Sequence, residues 1–172
     1  MTDSNSMREI HLDKLIVNIG IGQNENLFPN AKALLEKLTG HKAIATVSKK
    51  REPELKLRQG QIIGSMVTLR KDDAASMLKM ALDANSNTLK KSAISNNSLN
   101  FGIREYIYIS GVKYDPKIGM FGMNINASFT RKGKRVEKRR IKNGKADPKH
   151  SRILREEIIE YLKNNYKATV SE

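Results

Sequence analysis

The sequence predicts an α+β fold, with a mostly antiparallel sheet, helices packed on one of its faces, a polar opposite face, and basic loops. Three observations lead to this prediction. Apolar and polar residues alternate in several segments, which is the pattern of strands that bury one face. Three other segments repeat their apolar residues at helical spacing. The last two predicted strands are separated only by a turn, which favours antiparallel pairing.

The chain begins with a predicted strand and helix. The strand runs over 15–21, and a change of parity before it predicts a bulge near 13–14. The helix has Pro29 in its first turn and ends at Gly40, both of which suit those positions. One stripe of this helix is apolar and consists of Leu27, Ala31, Leu34, Leu35 and Leu38.

Two further strands and a second helix are predicted next. A short strand over 43–47 leads into a basic stretch over 48–60, and another strand follows over 61–70. We expect Asp72 to cap the second helix. The apolar face of that helix consists of Ala74, Met77, Leu78, Ala81 and Leu82.

The second half of the chain is predicted to contain a loop, two strands and a last helix. Residues 85–100 read as a loop because nine of the sixteen are Asn or Ser. The apolar residues are Ile103, Ile107 and Ile109 in one strand, Phe121, Met123, Ile125, Ala127 and Phe129 in the next, and Leu154, Ile158, Tyr161 and Leu162 in a helix over 151–165. Pro116 fixes the turn between the two strands. No internal repeat interrupts this order, so we expect one domain over 1–172, with a flexible N-terminus at 1–6.

Polar residues occupy the strand positions opposite the apolar ones, and they form the predicted polar face: Asn18, Thr68, Arg70, Tyr106, Tyr108, Asn124, Asn126 and Ser128. Asn, Thr, Ser and Tyr side chains can exchange hydrogen bonds with sugars, phosphates and base edges. An ordinary hydrated sheet face is the alternative reading of the same residues.

Positive charge is concentrated in two segments. The formal net charge is +14, of which 131–152 carries +9 and 42–58 carries +4, so the remaining residues are close to neutral. Two concentrated basic segments on a neutral body indicate contacts with the phosphates of a nucleic acid. Disordered, solvated charge runs are the alternative. Within these segments we single out a basic loop at 48–60 and a basic extension at 131–150 that precedes the last helix.

The sequence gives little support for catalysis, metal binding or membrane insertion. The chain has no Cys, its three His lie far apart, and no Gly-x-Ser-x-Gly elbow is present, so no cofactor or metal is expected. Gly20-Ile21-Gly22 lacks the third glycine of a dinucleotide fingerprint, although a cofactor-binding enzyme built on this turn stays an alternative. The N-terminus resembles no secretory signal, and no apolar run is long enough to span a bilayer, which favours a cytoplasmic location without membrane contact.

Several motifs together resemble one protein family. They are Met7-Arg8-Glu9, Val17-Asn18-Ile19-Gly20-Ile21-Gly22, Leu38-Thr39-Gly40-His41-Lys42, Leu57-Arg58-Gln59-Gly60, Val67-Thr68-Leu69-Arg70, the segment 101–107 and the segment 111–123. In this order they resemble the universal 5S rRNA-binding protein of the large ribosomal subunit, family five of the large-subunit series. The start, the Val-Lys-Tyr-Asp-Pro segment and the basic tail resemble its archaeal and eukaryotic branch, and the run beginning at Arg131 is closer to the archaeal form.

The resemblance implies a non-catalytic scaffold in the central protuberance of the large subunit. Its implied partners are 5S rRNA, large-subunit rRNA, P-site tRNA, a second 5S-binding ribosomal protein, and a small-subunit head protein at an intersubunit bridge. A free-standing structured-RNA-binding protein or RNA chaperone with the same fold is the alternative.

The resemblance also implies which residues meet each RNA. The 5S rRNA-binding positions are Asn18, Gly20, His41, Lys42, Leu55, Thr68 and Arg70. The tRNA-contacting loop supplies Lys49, Lys50, Arg51, Lys56 and Arg58. The cations expected to contact rRNA phosphates are Arg131, Lys132, Lys134, Arg135, Lys138, Arg139, Arg140, Lys142 and Lys149, together with His150. Family members usually have Gln at the position of His41 and an aromatic residue at that of Leu55.

Overall fold

The computed structural model describes residues 5–145 and 151–171, and a six-stranded antiparallel sheet is its framework. The strands are β1 (Ile10–Gly20), β2 (Ile44–Val47), β3 (Ile62–Leu69), β4 (Thr88–Lys90), β5 (Ile94–Ser95), β6 (Ser98–Ile103), β7 (Met123–Arg131) and β8 (Thr169–Ser171). In the main sheet their order is β2-β3-β1-β7-β6-β5, while β4 and β8 form a separate parallel pair. The long strand β1 therefore lies near the middle of the main sheet.

The bulge predicted in β1 is present. The pairing of β1 with β7 shifts register between Leu12 and Lys14, so side chains on either side of the bulge change faces. After the bulge, Leu15, Val17 and Ile19 are fully buried. The even-numbered residues that follow the bulge consequently point to the opposite face of the sheet.

Four α-helices are described: α1 (Phe28–Thr39), α2 (Lys71–Ala84), α3 (Arg135–Lys138) and α4 (Arg155–Tyr166). In α1, Pro29 lies in the first turn and Gly40 ends the helix in the left-handed conformation, both as predicted. All five residues predicted for the apolar face of α2 are buried. None of the described helices has the length and apolar character needed to cross a membrane.

The helices pack on one face of the sheet, which confirms the predicted α+β class. A single apolar core joins the buried sides of α1, α2 and α4 to the odd-numbered residues of β1, β3 and β7. Where α4 meets the sheet, the rings of Phe129 and Tyr161 lie edge to face with 5.5 Å between centroids. The other face of the sheet, which we call the open face, is covered by none of α1, α2 and α4, and of the described helices only the short α3 approaches it, at the Asp13 end of β1.

The segment predicted as a loop at 85–100 instead contains β4, β5 and the start of β6. Its Asn and Ser residues form the tight turns between very short strands, and Ser86, Asn87 and Asn97 have positive φ. Three buried apolar residues, Leu89, Ile94 and Leu99, anchor those strands. The composition of this segment is typical of turns, so it did not indicate the short strands that the segment contains.

The strand predicted through Ile107 and Ile109 is also wrong. Residues Tyr106–Tyr108 form a 3-10 turn, and the buried residues Ile103, Tyr106 and Ile109 follow its spacing of three. Tyr106 is 1% exposed and its hydroxyl accepts a hydrogen bond from the Asp115 backbone N–H at 3.1 Å, so it does not lie on the open face.

Two smaller expectations at helix N-termini are corrected as well. Arg70 occupies the N-cap of α2 without a side-chain cap, and Asp72 lies in the first turn, where its charge favours the helix dipole. Leu154 precedes α4 and is 51% exposed rather than buried. Its backbone N–H donates to Glu157 Oε2 at 2.9 Å, which fixes the start of that helix.

Candidate nucleic-acid interface

The centre of the open face is a patch of polar side chains from three neighbouring strands. Asn18 pairs with Asn124 across β1 and β7, and Ile16 of β1 pairs with both Thr68 of β3 and Asn126 of β7. Directly opposite residues of such pairs lie about 4.5–5.5 Å apart at Cβ. Among the described residues, none of these four polar side chains has a hydrogen-bond partner, so each is available to an external ligand.

Apolar residues interrupt this patch at Ile16, between Thr68 and Asn126, and on the β3 side. Ile44 of the edge strand β2 is 62% exposed and pairs with Met66, which in turn pairs with Asn18. The open face is therefore mixed rather than uniformly polar. Amide side chains can form hydrogen bonds with base edges and sugars, and the neighbouring aliphatic side chains add apolar contact area.

The residues predicted to bind 5S rRNA are distributed along the β1–β3 pair. Asn18 lies in the middle of the pair, and Gly20 lies at the end where β1 finishes. Leu55 is held at that same end, since its carbonyl accepts a hydrogen bond from Gln23 Nε2 at 2.7 Å. Leu55 is 59% exposed, so its side chain faces outward from the fold.

The remaining predicted 5S-binding residues gather at the opposite end of the pair. Thr68 and Arg70 lie at the end of β3, and both are exposed. His41 Nε2 lies 3.1 Å from Asp73 Oδ2 in the first turn of α2, which brings the 41–42 turn beside Arg70. The predicted set thus follows one band of the sheet, with Lys42 exposed at its edge.

The basic loop is an ordered hairpin that extends β2 and β3. We call residues 48–61 the basic hairpin. Backbone bonds join Ser48 to Gln61 at 2.8 Å and Glu52 to Leu57 at 3.1 and 3.0 Å, and Lys56 in the tip has a φ of 51°. Its five cations, Lys49, Lys50, Arg51, Lys56 and Arg58, are all exposed, and none forms an ion pair with another described residue. The hairpin consequently presents its full positive charge to solvent.

A polar groove lies between this hairpin and the turn after β1. Its volume is about 680 Å³, and its walls include Gln23, Asn26, Lys56 and Arg58. The groove opens at the Gly20 end of the open face. The lining includes one carboxylate, Glu25, beside the two cations Lys56 and Arg58, so its net charge is positive.

The basic extension packs against the sheet more closely than the sequence suggests. Arg131 is only 9% exposed, and its Nη2 donates to both carboxylate oxygens of Glu157 at 2.7 Å. Its expected phosphate contact stays a prediction, since Nη2 of the guanidinium holds β7 against α4 while Nε has no hydrogen-bond partner among the described residues. A charge count along the sequence could not separate this buried arginine from its exposed neighbours.

The other described cations of the extension lie at or near the surface. Lys132 forms an ion pair with Glu9, and Lys138 Nζ lies 3.0 Å from Asp13 Oδ2. Arg139 Nε donates to the Lys142 carbonyl at 2.6 Å. Lys134 is partly buried, whereas Arg135, Arg140 and Lys142 are exposed. The expected contacts of Lys149 and His150 lie outside the described residues.

Asp13 has a pKa below its ordinary value. Burial alone would raise this pKa, but the hydrogen bond and charge of Lys138, with the charges of Arg70 and Lys14, outweigh the burial and hold the carboxylate ionised. The described residues contain no group of three or more His, Asp or Glu that could hold a metal ion.

Sequence reasoning missed the part of the open face that belongs to β6. Asn100 pairs with Asn126, and Ser98 pairs with Ser128, which extends the polar patch by one strand. The signal was present, since Ser98, Asn100 and Gly102 alternate with apolar residues. It was overlooked because 85–100 had the composition of a loop.

Two family models and several relatives match this chain. A family model described as "Ribosomal protein L5" matches residues 5–58, and a companion model for the C-terminal part of the same ribosomal family matches residues 62–161. A "Large ribosomal subunit protein uL5" of Picrophilus torridus is 44% identical over 171 residues, which cover 98% of this chain and 97% of the relative.

Two further relatives carry the same name. That of Methanosphaera stadtmanae is 38% identical, with 96% of this chain and 99% of the relative covered. That of Sulfurisphaera tokodaii is also 38% identical, with 98% and 96% covered. The similarity thus extends over nearly the whole length of the chain.

Proposed function

This chain belongs to the ribosomal protein L5 family, in its archaeal form, and on that premise we propose that it binds 5S rRNA through the open face of its sheet. As a member of this family it is a structural, non-enzymatic constituent of the large ribosomal subunit, with ribosomal RNA as its partner. The observation that carries the proposal is the polar patch of Asn18, Thr68, Asn124 and Asn126, whose side chains have no partner and no covering helix within the described part of the chain.

The patch suits a folded RNA better than a single strand. Its side chains are amides and hydroxyls, which can meet sugar hydroxyls and base edges, whereas stacking platforms need exposed aromatic rings. Tyr106 is buried and Tyr108 lies in a 3-10 turn, so neither supplies such a ring on the sheet. Recognition then depends on the shape of 5S rRNA and on a small number of hydrogen bonds, and phosphate contacts set the orientation.

The basic hairpin is proposed to reach P-site tRNA. It projects beyond the sheet, its cations are free among the described residues, and Pro53 stiffens its tip. An ordered arm with unpaired charge loses little conformational entropy when it contacts a phosphate backbone.

The remaining partners are proposed on the basis of family membership. The exposed cations of the basic extension are proposed to contact rRNA phosphates, and large-subunit rRNA is a further proposed partner. A second 5S-binding ribosomal protein and a small-subunit head protein at an intersubunit bridge complete the proposed assembly, in the cytoplasm.

Co-sedimentation with large subunits tests this function. Subunits reconstituted with and without 5S rRNA are mixed with the protein in high salt and pelleted. We expect the protein to pellet with complete subunits and to stay in the supernatant when 5S rRNA is omitted. Equal recovery from both would place its main contact elsewhere, and no recovery from either would favour a free-standing RNA-binding protein.

A further inference from the structure

The end of the sheet where Arg70 lies carries a pocket of about 470 Å³ between β1, β7 and the segment after β7. Gly133 turns the chain there with a φ of 93°, which an L side chain rarely adopts, so that α3 folds back over β1. Asp13, in the bulge of β1, lies on the wall of this pocket, which we call the Asp13 pocket.

Asp13 joins two cations from distant parts of the chain. Its Oδ2 lies 3.0 Å from Lys138 Nζ, and its Oδ1 lies 3.5 Å from Arg70 Nη1. The side chain of Asp13 is 20% exposed, while those of Arg70 and Lys138 are 60% and 56% exposed. The two cations are thus held beside each other by one carboxylate, yet both remain open to solvent.

The pocket has more positive charge than its own carboxylate can balance. Of the cations on its wall, Arg131 is bound by Glu157 and Lys132 by Glu9. This leaves four cations, Arg70, Lys134, Arg135 and Lys138, against Asp13, which is a net charge of +3.

A buried donor on the same wall is also unsatisfied. Arg131 is nine-tenths buried, and its Nε has no hydrogen-bond partner among the described residues. Buried N–H donors are normally paired, so an unpaired donor beside a cationic pocket indicates a missing acceptor.

From this arrangement we propose that the Asp13 pocket binds one backbone phosphate of 5S rRNA between Arg70 and Lys138, and that Asp13 occupies the place of that phosphate when RNA is absent. The proposal rests on the proposed function, since it names the group of the RNA that this part of the protein takes. A guanidinium fork beside an ammonium matches the oxygens of a phosphodiester. Asp13 keeps the two cations together but competes with the incoming anion.

A double-mutant cycle tests whether Arg70 and Lys138 share one phosphate. The variants Arg70→Gln, Lys138→Gln and their combination are titrated with a 5S rRNA transcript over a salt series. We expect each single variant to lose about three- to tenfold in affinity, and the double variant to lose little more than the more affected single one. The slope of log affinity against log salt should fall by about one in the double variant.

Independent contacts would give a different result. If the losses multiply and the slope falls by about two, the two cations contact separate phosphates and the shared site is rejected. Lys79→Gln, on the exposed side of α2, is the matched control and should leave both affinity and slope unchanged.

The role of Asp13 has its own test. Asp13→Asn keeps the shape of the side chain and removes the competing charge, so we expect 5S affinity to rise severalfold, while Glu160→Gln on α4 leaves it unchanged. An unchanged or lower affinity of a folded Asp13→Asn variant would overturn the competing role. If that variant does not fold, the double-mutant cycle still shows whether Arg70 and Lys138 share one phosphate, because both residues are exposed.

Inorganic phosphate distinguishes the two possible sources of the anion. At constant ionic strength, millimolar phosphate should weaken 5S binding by the wild type but not by the double variant. If phosphate raises the melting temperature of the wild type, while neither Arg70→Gln nor Lys138→Gln changes the affinity for RNA, the pocket binds the free ion and not RNA. These outcomes differ from failure of the proposed function, in which the wild type itself would not prefer 5S rRNA.

Discussion

At the scale of single residues, the open face carries polar side chains whose hydrogen-bonding groups have no partner within the described part of the protein. Asn18 lies at its centre and is half-buried between Met66 and Asn124. A half-buried amide without a partner costs free energy in the isolated protein, and an external ligand can recover that cost.

The first prediction concerns Asn18. We expect Asn18→Ala to weaken 5S rRNA binding by about 1–3 kcal/mol, because the RNA group that it meets is left unpaired, while the free energy of unfolding changes little. Titration of 5S rRNA and urea unfolding measure the two quantities. Asn164→Ala, on the exposed side of α4, is the control. Unchanged affinity of Asn18→Ala would move the recognition surface away from the centre of the sheet.

The second prediction concerns Asp13 and pH. Its pKa in the folded protein is below the ordinary value of 3.8, so its ionised form stabilises the fold above that value, and this contribution is lost as the pH falls through the folded-state pKa. We therefore expect Asp13→Asn to lower the free energy of unfolding at pH 7, and the difference from the wild type to shrink in the acidic range. A difference that stays constant with pH would contradict the assigned ion pairs.

The environment of Arg131 could not be predicted from the sequence. Arg131 and its neighbours in the basic extension have the same residue type and local composition, yet Arg131 is buried on Glu157. The partner is 26 residues away and becomes adjacent only when α4 packs against β7. The residue type predicts the positive charge of Arg131, whereas its ion pair with Glu157 depends on tertiary packing.

At the scale of elements, long periodic segments could be predicted and short ones could not. The strand β1 with its bulge, both ends of α1 and the apolar face of α2 follow from patterns within each segment. The strands β4, β5 and β8 have two or three residues each, which is too short to show a period. Pairing of β4 with β8, at opposite parts of the sequence, depends on tertiary contacts alone.

The third prediction concerns the basic hairpin. Neutralising Lys50, Arg51, Lys56 and Arg58 together should leave 5S affinity nearly intact and weaken tRNA binding to assembled ribosomes, because these cations lie in the hairpin, beyond the last paired residues of β2 and β3. Filter binding of tRNA to ribosomes that carry the variant measures the effect. A large loss of 5S affinity would instead make the hairpin a docking element for rRNA.

The fourth prediction concerns the β1–β3 pair. A Cβ at Gly64 would lie 2.5 Å from the Ile19 carbonyl oxygen and 2.8 Å from Thr46 Oγ1, so Gly64→Ala should lower the free energy of unfolding by about 1–3 kcal/mol. Gly20 pairs directly with Gly64, and a Cβ there meets nothing within 4 Å. Gly20→Ala is therefore the matched control in urea unfolding. Equal stability of both variants would contradict the described register.

At the scale of the whole molecule, the two sides of the sheet differ in composition. Helices cover one side and bury the apolar core, and the open face carries free polar groups between the basic hairpin and the basic extension. The uneven charge already indicated a nucleic acid, and the family motifs indicated which one. The arrangement of the Asp13 pocket could not be foreseen, since Arg70 and Lys138 lie 57 and 125 residues from Asp13.

The most direct test of this account is binding to 5S rRNA against a structured control RNA of equal length, over a salt series. Recognition by the open face predicts that 5S rRNA stays bound at salt concentrations that release the control, because hydrogen bonds and shape are less sensitive to salt than phosphate contacts. Equal affinities that fall together with salt would contradict the account and leave only the basic segments as contacts.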